Sequence, residues 1–309
     1  MTEAPPPPSP PVPRLVVRGV ELDLTAPVLM GIVNATPDSF SDPGRDPTVE
    51  ARVARAVAQA DAGAAIVDVG GQSRITGVAE LPVAEEVARV VPVVAGIVAA
   101  APELLVSVDT YRPEVVAAVL DAGAAIVNDV SGLLHPEVGR LCAEAGAGLV
   151  VMHTRAVPKV KVLDDELYDD AGGVVDDVVA FLADRLAAAQ AAGVVPEATI
   201  VDPGPDFAKT PHQTLAVLRA LDRVTALGRP VLLALSRKDF VGAITDRPPA
   251  LRLAGTLAAV GHLAGPGTIL RVHDVAAVAD YQAVAAALAG ASDLDVALRL
   301  RQDLRHARP

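Results

Sequence analysis

With 309 residues, 51% of them hydrophobic, the chain can bury one large core, and a single α/β barrel domain needs roughly 250 residues. It has no Trp, three Tyr, four Phe and a formal net charge of -12, which disfavours stacking on nucleic acid or docking to an anionic membrane. No apolar run approaches the roughly 20 residues that span a bilayer, and a proline tract stands where a secretory signal would be basic and then apolar, so a cytoplasmic protein is expected.

Residues 1–13 are proline-rich without periodicity and read as a disordered tail. Residues 14–290 read as one folded domain, and 291–309 as a terminal helix or tail. Within the domain, short apolar runs at 28–34, 65–71, 104–110, 125–130, 148–154, 199–204, 230–236 and 268–274 predict strands. Ala-rich helical stretches separate them, as expected of parallel strands covered on both faces. Arg112-Pro113-Glu114 and His135-Pro136-Glu137 mark helix starts, and Thr210-Pro-His-Gln213 has capping-box spacing. Cys142, the single cysteine, sits in an apolar helical stretch and reads as a buried thiol, not a nucleophile.

An internal repeat supports this order. Asp61-Ala-Gly-Ala-Ala-Ile-Val-Asp68 recurs as Asp121-Ala-Gly-Ala-Ala-Ile-Val-Asn128, with a looser copy at Glu144-Ala-Gly-Ala-Gly-Leu-Val. Each copy is a helix end, a glycine suited to a left-handed closing residue, and a new strand. Eight such units predict a (β/α)8 TIM barrel, with an open doubly wound sheet as the alternative.

Barrel enzymes work at the C-terminal ends of their strands. Those ends carry Asn34, Asp68, Asp109, Asn128 with Asp129, His153, Asp202, Ser236 to Lys238, and Arg271 with His273. Any one of them could merely cap a helix. Together they place carboxylates and carboxamides on the early and middle strands and cations on the last two, a division that suits an aminopyrimidinone ring with an anionic tail.

These strings resemble dihydropteroate synthases from about residue 14 to 289. Met30-Gly-Ile-Val-Asn-Ala-Thr-Pro-Asp-Ser-Phe-Ser-Asp42 is similar to that family's first loop, Ser107-Val-Asp-Thr110 to its third strand end and Asn128-Asp-Val-Ser-Gly132 to its fourth. Asp202-Pro-Gly, Ser236-Arg-Lys238 and Arg271-Val-His-Asp274 resemble the sixth, seventh and eighth. The resemblance implies a pterin site of Asp109, Asn128, Asp202, Lys238 and Arg271, with Arg271 stacked on the ring. Asp202 would accept from the paired N–H donors of the ring, and Lys238 would donate to its carbonyl and N5 edge. Asn34, Arg271 and His273 match the diphosphate and Mg2+ site, Asn34 supplying the metal's oxygen ligand. The implied reaction is loss of diphosphate from the pterin methylene and attack there by an arylamine, usually p-aminobenzoate. Asp42, Lys238, Arg271 and His273 would carry the catalysis and Asp42 would stabilise the cationic methylene. A homodimer is also implied.

The departures cluster where the second substrate binds. The acceptor pocket implied by the resemblance comprises Phe40, Ser73, Arg74, Thr76 and Asp239. Where the family usually has Gly-Gly-Glu-Ser-Thr-Arg-Pro-Gly, this chain reads Gly70-Gly-Gln-Ser-Arg-Ile-Thr-Gly77. Asp239 replaces the serine that, with a helix N-terminus, receives the p-aminobenzoate carboxylate. At about 4 Å and an effective dielectric of about 20, two such acids repel by roughly 4 kcal/mol. Asp206 and Ala208 stand where the family has glycines, the first of which usually lets backbone approach the pterin. This Ala-rich, Arg-over-Lys chain resembles the divergent second synthase copies of actinobacteria. Three readings follow: a synthase with an adapted acceptor pocket, a pterin-binding paralogue with another acceptor or none, and a pterin-binding methyltransferase. Asp38 to Asp42 and the Arg271-Val-His273 pair favour diphosphate chemistry over methyl transfer.

Overall fold

The computed structural model describes residues 12–36, 48–72, 80–291, 297–300 and 304. An antiparallel hairpin comes first, β1 (Leu15–Val17) and β2 (Val20–Leu22). Its turn residues, Arg18 and Gly19, have φ of 48° and 78°, the left-handed pair that matches the twist of a tight hairpin. The barrel follows as β3 (Val28–Asn34), α1 (Val49–Asp61), β4 (Ala64–Gly70), α2 (Val83–Ala100), β5 (Leu105–Asp109), α3 (Pro113–Asp121), β6 (Ile126–Asp129) and α4 (Pro136–Ala145). It continues through β7 (Gly148–Met152), α5 (Val174–Ala191), β8 (Thr199–Asp202), α6 (Pro211–Arg219), α7 (Leu221–Thr225), β9 (Val231–Leu233), α8 (Asp239–Thr245), α9 (Leu253–Leu263), β10 (Thr268–Val272) and α10 (Val275–Leu288). Strands β3 to β10 pair in parallel, and β10 returns to β3 to close an eight-stranded barrel. The open sheet is thereby excluded.

Strand parity explains where the site lies. Residues two apart in a strand face the same side. Met30, Ile66, Leu105, Ile126, Val150, Ile200, Leu232 and Ile269 form one apolar cluster inside the barrel, and Leu15, Val17 and Leu24 of the hairpin segment plug it from below. Two residues further along their strands, the same face carries Asp68, Ser107, Asn128, Asp202 and Arg271. The floor is thus apolar and the tier above it polar. The alternate residues face outward: Val67, Val69, Val106 and Val108 pack on Val90, Val94, Val115 and Val119 of α2 and α3. Both faces are buried, so the strands read as continuous apolar runs.

The punctuation follows the sequence signals. Pro113 and Pro136 open their helices, and Thr210 and Gln213 form a reciprocal capping box. The repeat glycines Gly63, Gly123 and Gly146 have φ of 101°, 105° and 61°. Strands end earlier than the apolar runs predict. β9 stops at Leu233, although Ala234 to Ser236 stay buried, because the chain leaves the ladder as it turns toward the loops. The hairpin is an addition to the predicted elements. At the expected tail border Pro13 already touches the barrel, its ring 2.9 Å from where a Cβ on Gly267 would stand. No helix among the described residues is long and apolar enough to cross a membrane.

Candidate active site

The centre of the barrel mouth is one hydrogen-bonded network. Asp68, fully buried, accepts from Ser107 Oγ at 2.7 Å, Asn128 Nδ2 at 3.0 Å and Arg271 Nε at 2.7 Å. Register aligns these groups, since Asp68 pairs with Ser107 in the β4–β5 ladder and Asp109 with Asn128 in the β5–β6 ladder. Arg271 Nη2 also lies 3.7 Å from Asp109. Asp68 can only accept, so Asn128 must turn its amine toward it, and Asn128 Oδ1 is left as a buried acceptor with no partner among the described residues. Asp202, also buried, accepts the Gly204 N–H at 2.7 Å and so opens the loop after β8.

That loop presents Lys238. Lys238 Nζ donates to the Pro205 carbonyl at 2.8 Å and stands 4.5 Å above the Phe207 ring. Above it opens a cavity of about 410 Å³ whose wall includes Asp109, Tyr111, Phe207, Arg237, Lys238 and Asp239. The segment from Ala156 to Val162, carrying Lys159 and Lys161, forms its other side. Of the expected pterin residues, Asp109 and Lys238 reach this space directly, while Asn128, Asp202 and Arg271 lie buried beneath.

Asn34 and His273 stand half-buried at the rim, at the ends of β3 and β10. The Ser236 hydroxyl is 2.9 Å from His273 Nδ1 and also accepts the His273 N–H at 3.3 Å, which fixes the imidazole at the mouth. Arg237 is held bidentate by Asp274, at 2.8 and 3.2 Å. Phe40, Asp42, Ser73, Arg74 and Thr76 lie outside the described residues.

Asp129 and His153 do not join the mouth. Each follows an inward-facing residue, Asn128 and Met152, and therefore points back into the helical layer. Burial pushes the Asp129 carboxyl up to about 6, and its Oδ1 accepts from the Ser131 N–H and hydroxyl. Burial likewise raises the Cys142 thiol to about 12, in keeping with a structural thiol.

The sequence model of the family described as pterin binding enzyme matches residues 30–273. The chain belongs to this family. It is 38% identical over 263 residues to the dihydropteroate synthase of Escherichia coli, covering 85% of this chain and 92% of that protein. It is 40% identical over 268 residues to a Mycobacterium leprae protein named inactive dihydropteroate synthase 2, covering 85% and 91%. Among solved structures, the dihydropteroate synthase of Xanthomonas albilineans with 4-aminobenzoic acid superposes with a TM-score of 0.80 at 40% identity, covering 90% of this chain and 99% of that one. The same enzyme in complex with 7,8-dihydropteroate gives 0.77 at 40% identity, with the same coverage.

Against this pterin-binding family the departures acquire shape. Asp206 and Ala208 have φ of 64° and 48°, so both occupy left-handed backbone for which glycine is the unstrained residue. Asp206 makes use of the position: its Oδ2 accepts the Asp239 N–H at 2.6 Å and its Oδ1 accepts the Thr214 hydroxyl at 3.2 Å. Asp239 itself opens α8 with a side chain that is 61% exposed, 3.1 Å from Arg252 Nη1 and 3.8 Å from Lys161 Nζ. The acid expected to repel a carboxylate therefore has two cations beside it. Gln72 donates to Glu86 at 2.7 Å, and Arg112 pairs with the same buried Glu86. A glutamate in place of Gln72 would face that carboxylate. Glu86 and residues 156–162 line the cavity and Arg112 braces Glu86, none of them legible in the sequence because none stands at a strand end.

Proposed function

We propose that this chain is a cytoplasmic transferase that joins a 6-hydroxymethyl-7,8-dihydropterin diphosphate to an arylamine, p-aminobenzoate or a relative of it, releasing diphosphate in folate biosynthesis. One observation carries the reading. Asn128 Oδ1 is a buried acceptor with no partner among the described residues, its amine being held by Asp68, with Asp109 and Asp202 on the same inner face, Arg271 on Asp68, and Asp109 and Lys238 in the wall of the cavity above. A reduced pterin offers the matching pattern, with ring N–H and amine donors on one edge and carbonyl and N5 acceptors on another.

In this reading Asp202 and Asn128 receive the donor edge, Lys238 donates to the acceptor edge, and the Arg271 face lies on the ring, its Nε being committed to Asp68. The amine nitrogen attacks the methylene carbon, the bond from that carbon to the diphosphate oxygen breaks, and the amine proton passes to solvent. No covalent enzyme nucleophile is needed. His273, oriented by Ser236, and Arg271 offset the charge of the departing diphosphate, and Asp42 stabilises positive charge on the methylene. Asn34 fits a Mg2+ ion, because one neutral oxygen suffices where most ligands are diphosphate oxygens and water. When bound, the ion would neutralise leaving-group charge. The reading includes a homodimer. An apolar groove of about 310 Å³ between α6, α8 and α9, with Ile244 exposed at its edge, offers a surface for a second copy, and sedimentation velocity would read the state.

The deciding experiment is a coupled diphosphate-release assay with dihydropterin diphosphate and Mg2+, run with and without p-aminobenzoate. Release that requires the arylamine supports the synthase. Pterin binding without release supports a second reading, a pterin-binding paralogue, which the carboxylate of Asp206 on the first amide of α8 favours.

A further inference from the structure

Behind the pterin-side loop lies a lysine that the proposed reaction does not use. Lys209 is 1% exposed, and its Nζ donates to His153 Nδ1 at 2.7 Å, the Gly204 carbonyl at 3.0 Å and the Phe207 carbonyl at 3.1 Å. With a longer contact to the His153 carbonyl at 3.5 Å, these bonds engage all the donors of an ammonium. His153, fully buried, gives its Nε2–H to Asp177 on α5 at 2.8 Å, and Arg155 clamps the same carboxylate. Asp177 can only accept, so Nε2 carries the hydrogen and Nδ1 is the acceptor that Lys209 needs.

A buried cation is costly, and a leucine or methionine would fill the space at less cost. The loop explains why a lysine stands here. Gly204, Asp206 and Ala208 all have positive φ, and the reversals they impose turn the Gly204 and Phe207 carbonyls inward, where only a donor inside the fold can meet them. The outer side of the same loop holds Lys238, through the Pro205 carbonyl and the Phe207 ring.

We propose that Lys209 is a positioning residue of the pterin site: anchored by His153 and Asp177, it fixes the loop of residues 204–208 and thereby the place of Lys238. This rests on the reading of Lys238 given above. Burial lowers the Lys209 and His153 pKa values, to about 7 and about 4, against the pull of Asp202 on Lys209 and of Asp177 on His153, as expected of groups held away from solvent.

The test is a double-mutant cycle read by calorimetry of dihydropterin diphosphate binding, which does not depend on turnover. K238M is expected to weaken binding at least tenfold. K209M is expected to weaken it about tenfold in the wild-type background and by less than twofold in the K238M background, because its effect passes through Lys238. Equal weakening in both backgrounds, or none in either, overturns the proposal. K238M without effect overturns the reading of Lys238 and the proposal with it, whereas K238M weak with K209M like wild type overturns the proposal alone. Should K209M fail to fold, D177N, which keeps every heavy-atom position, replaces it in the cycle. It is expected to weaken binding about threefold in the wild-type background only, and an equal loss in both or no loss overturns the proposal.

Discussion

Arg271 Nε donates to Asp68 Oδ2 at 2.7 Å, an ion pair between groups 203 residues apart that crosses the interior of the barrel mouth. Asp68 is fully buried, so its charge depends on this partner. Removing one member of a buried pair costs about 3–5 kcal/mol, because the other is left uncompensated. R271Q is therefore expected to lower Tm by roughly 5–8 °C in calorimetry. Adding D68N should recover part of the loss. A fall of less than about 2 °C would mean that Ser107 and Asn128 satisfy Asp68 unaided.

Asp202 has two tasks, since one oxygen takes the Gly204 N–H and the carboxylate also faces the barrel interior. D202N keeps an oxygen for Gly204 and, in the proposed pose, would turn an amine toward the pterin donors. Loss of a charge-assisted bond of about 1.5–3 kcal/mol should raise the Kd of the pterin diphosphate roughly 10- to 150-fold. Unchanged binding with a lowered Tm would restrict Asp202 to holding the loop.

The barrel was legible because its signals are local: an apolar run, a glycine to close the helix before it, a proline to open the helix after it. The polar residues that gather in the barrel mouth were legible at strand ends for the same reason. Parity was the missing step, for a list of strand-end residues admits Asp129 and His153, although one residue beyond Asn128 and Met152 the chain faces outward. Partners brought by distant loops were not legible either. Nothing near Asp239 in sequence announces Lys161, and Asp206 could be recognised as replacing a glycine but not as the group that would cap α8. The hairpin escaped because two three-residue strands carry too few positions to show a period.

Asp129 supplies a pH test that is independent of the ligand. Its folded pKa is raised by burial to about 6 from an ordinary value of 3.8, so the neutral acid is favoured on folding. Its stabilising contribution is full below pH 3.8 and is lost as the pH rises through 6. About two pKa units correspond to roughly 3 kcal/mol. The carboxamide of D129N does not titrate, so the stability of this variant relative to wild type should rise by about that amount between about pH 4 and 7 in urea unfolding. A difference that stays flat over this range would show that Asp129 is not shifted.

At the acceptor end of the site, the repulsion expected from Asp239 must be weighed against its surroundings. The Asp239 side chain is 61% exposed and lies beside Arg252 and Lys161, so its field on an incoming carboxylate is offset by two cations and screened by water. Asp206 has the stronger claim. Its carboxylate already sits 2.6 Å from the Asp239 N–H, the group an acceptor carboxylate would seek at the start of α8. An acid such as p-aminobenzoate must displace it or bind without that amide. D206G should therefore lower the KM for p-aminobenzoate at least tenfold, whereas D239S should change it by less than about fivefold, as expected of an exposed pair worth about 0–1 kcal/mol. Glycine also removes the strain of left-handed backbone, typically about 1–2 kcal/mol, so D206G should not lower Tm despite the lost cap. Neutral p-aminobenzamide serves as the control, because its KM should hardly respond to either substitution. Should D239S lower the KM for p-aminobenzoate at least tenfold while D206G leaves it unchanged, Asp239 governs acceptor choice and the Asp206 contact is only a helix cap.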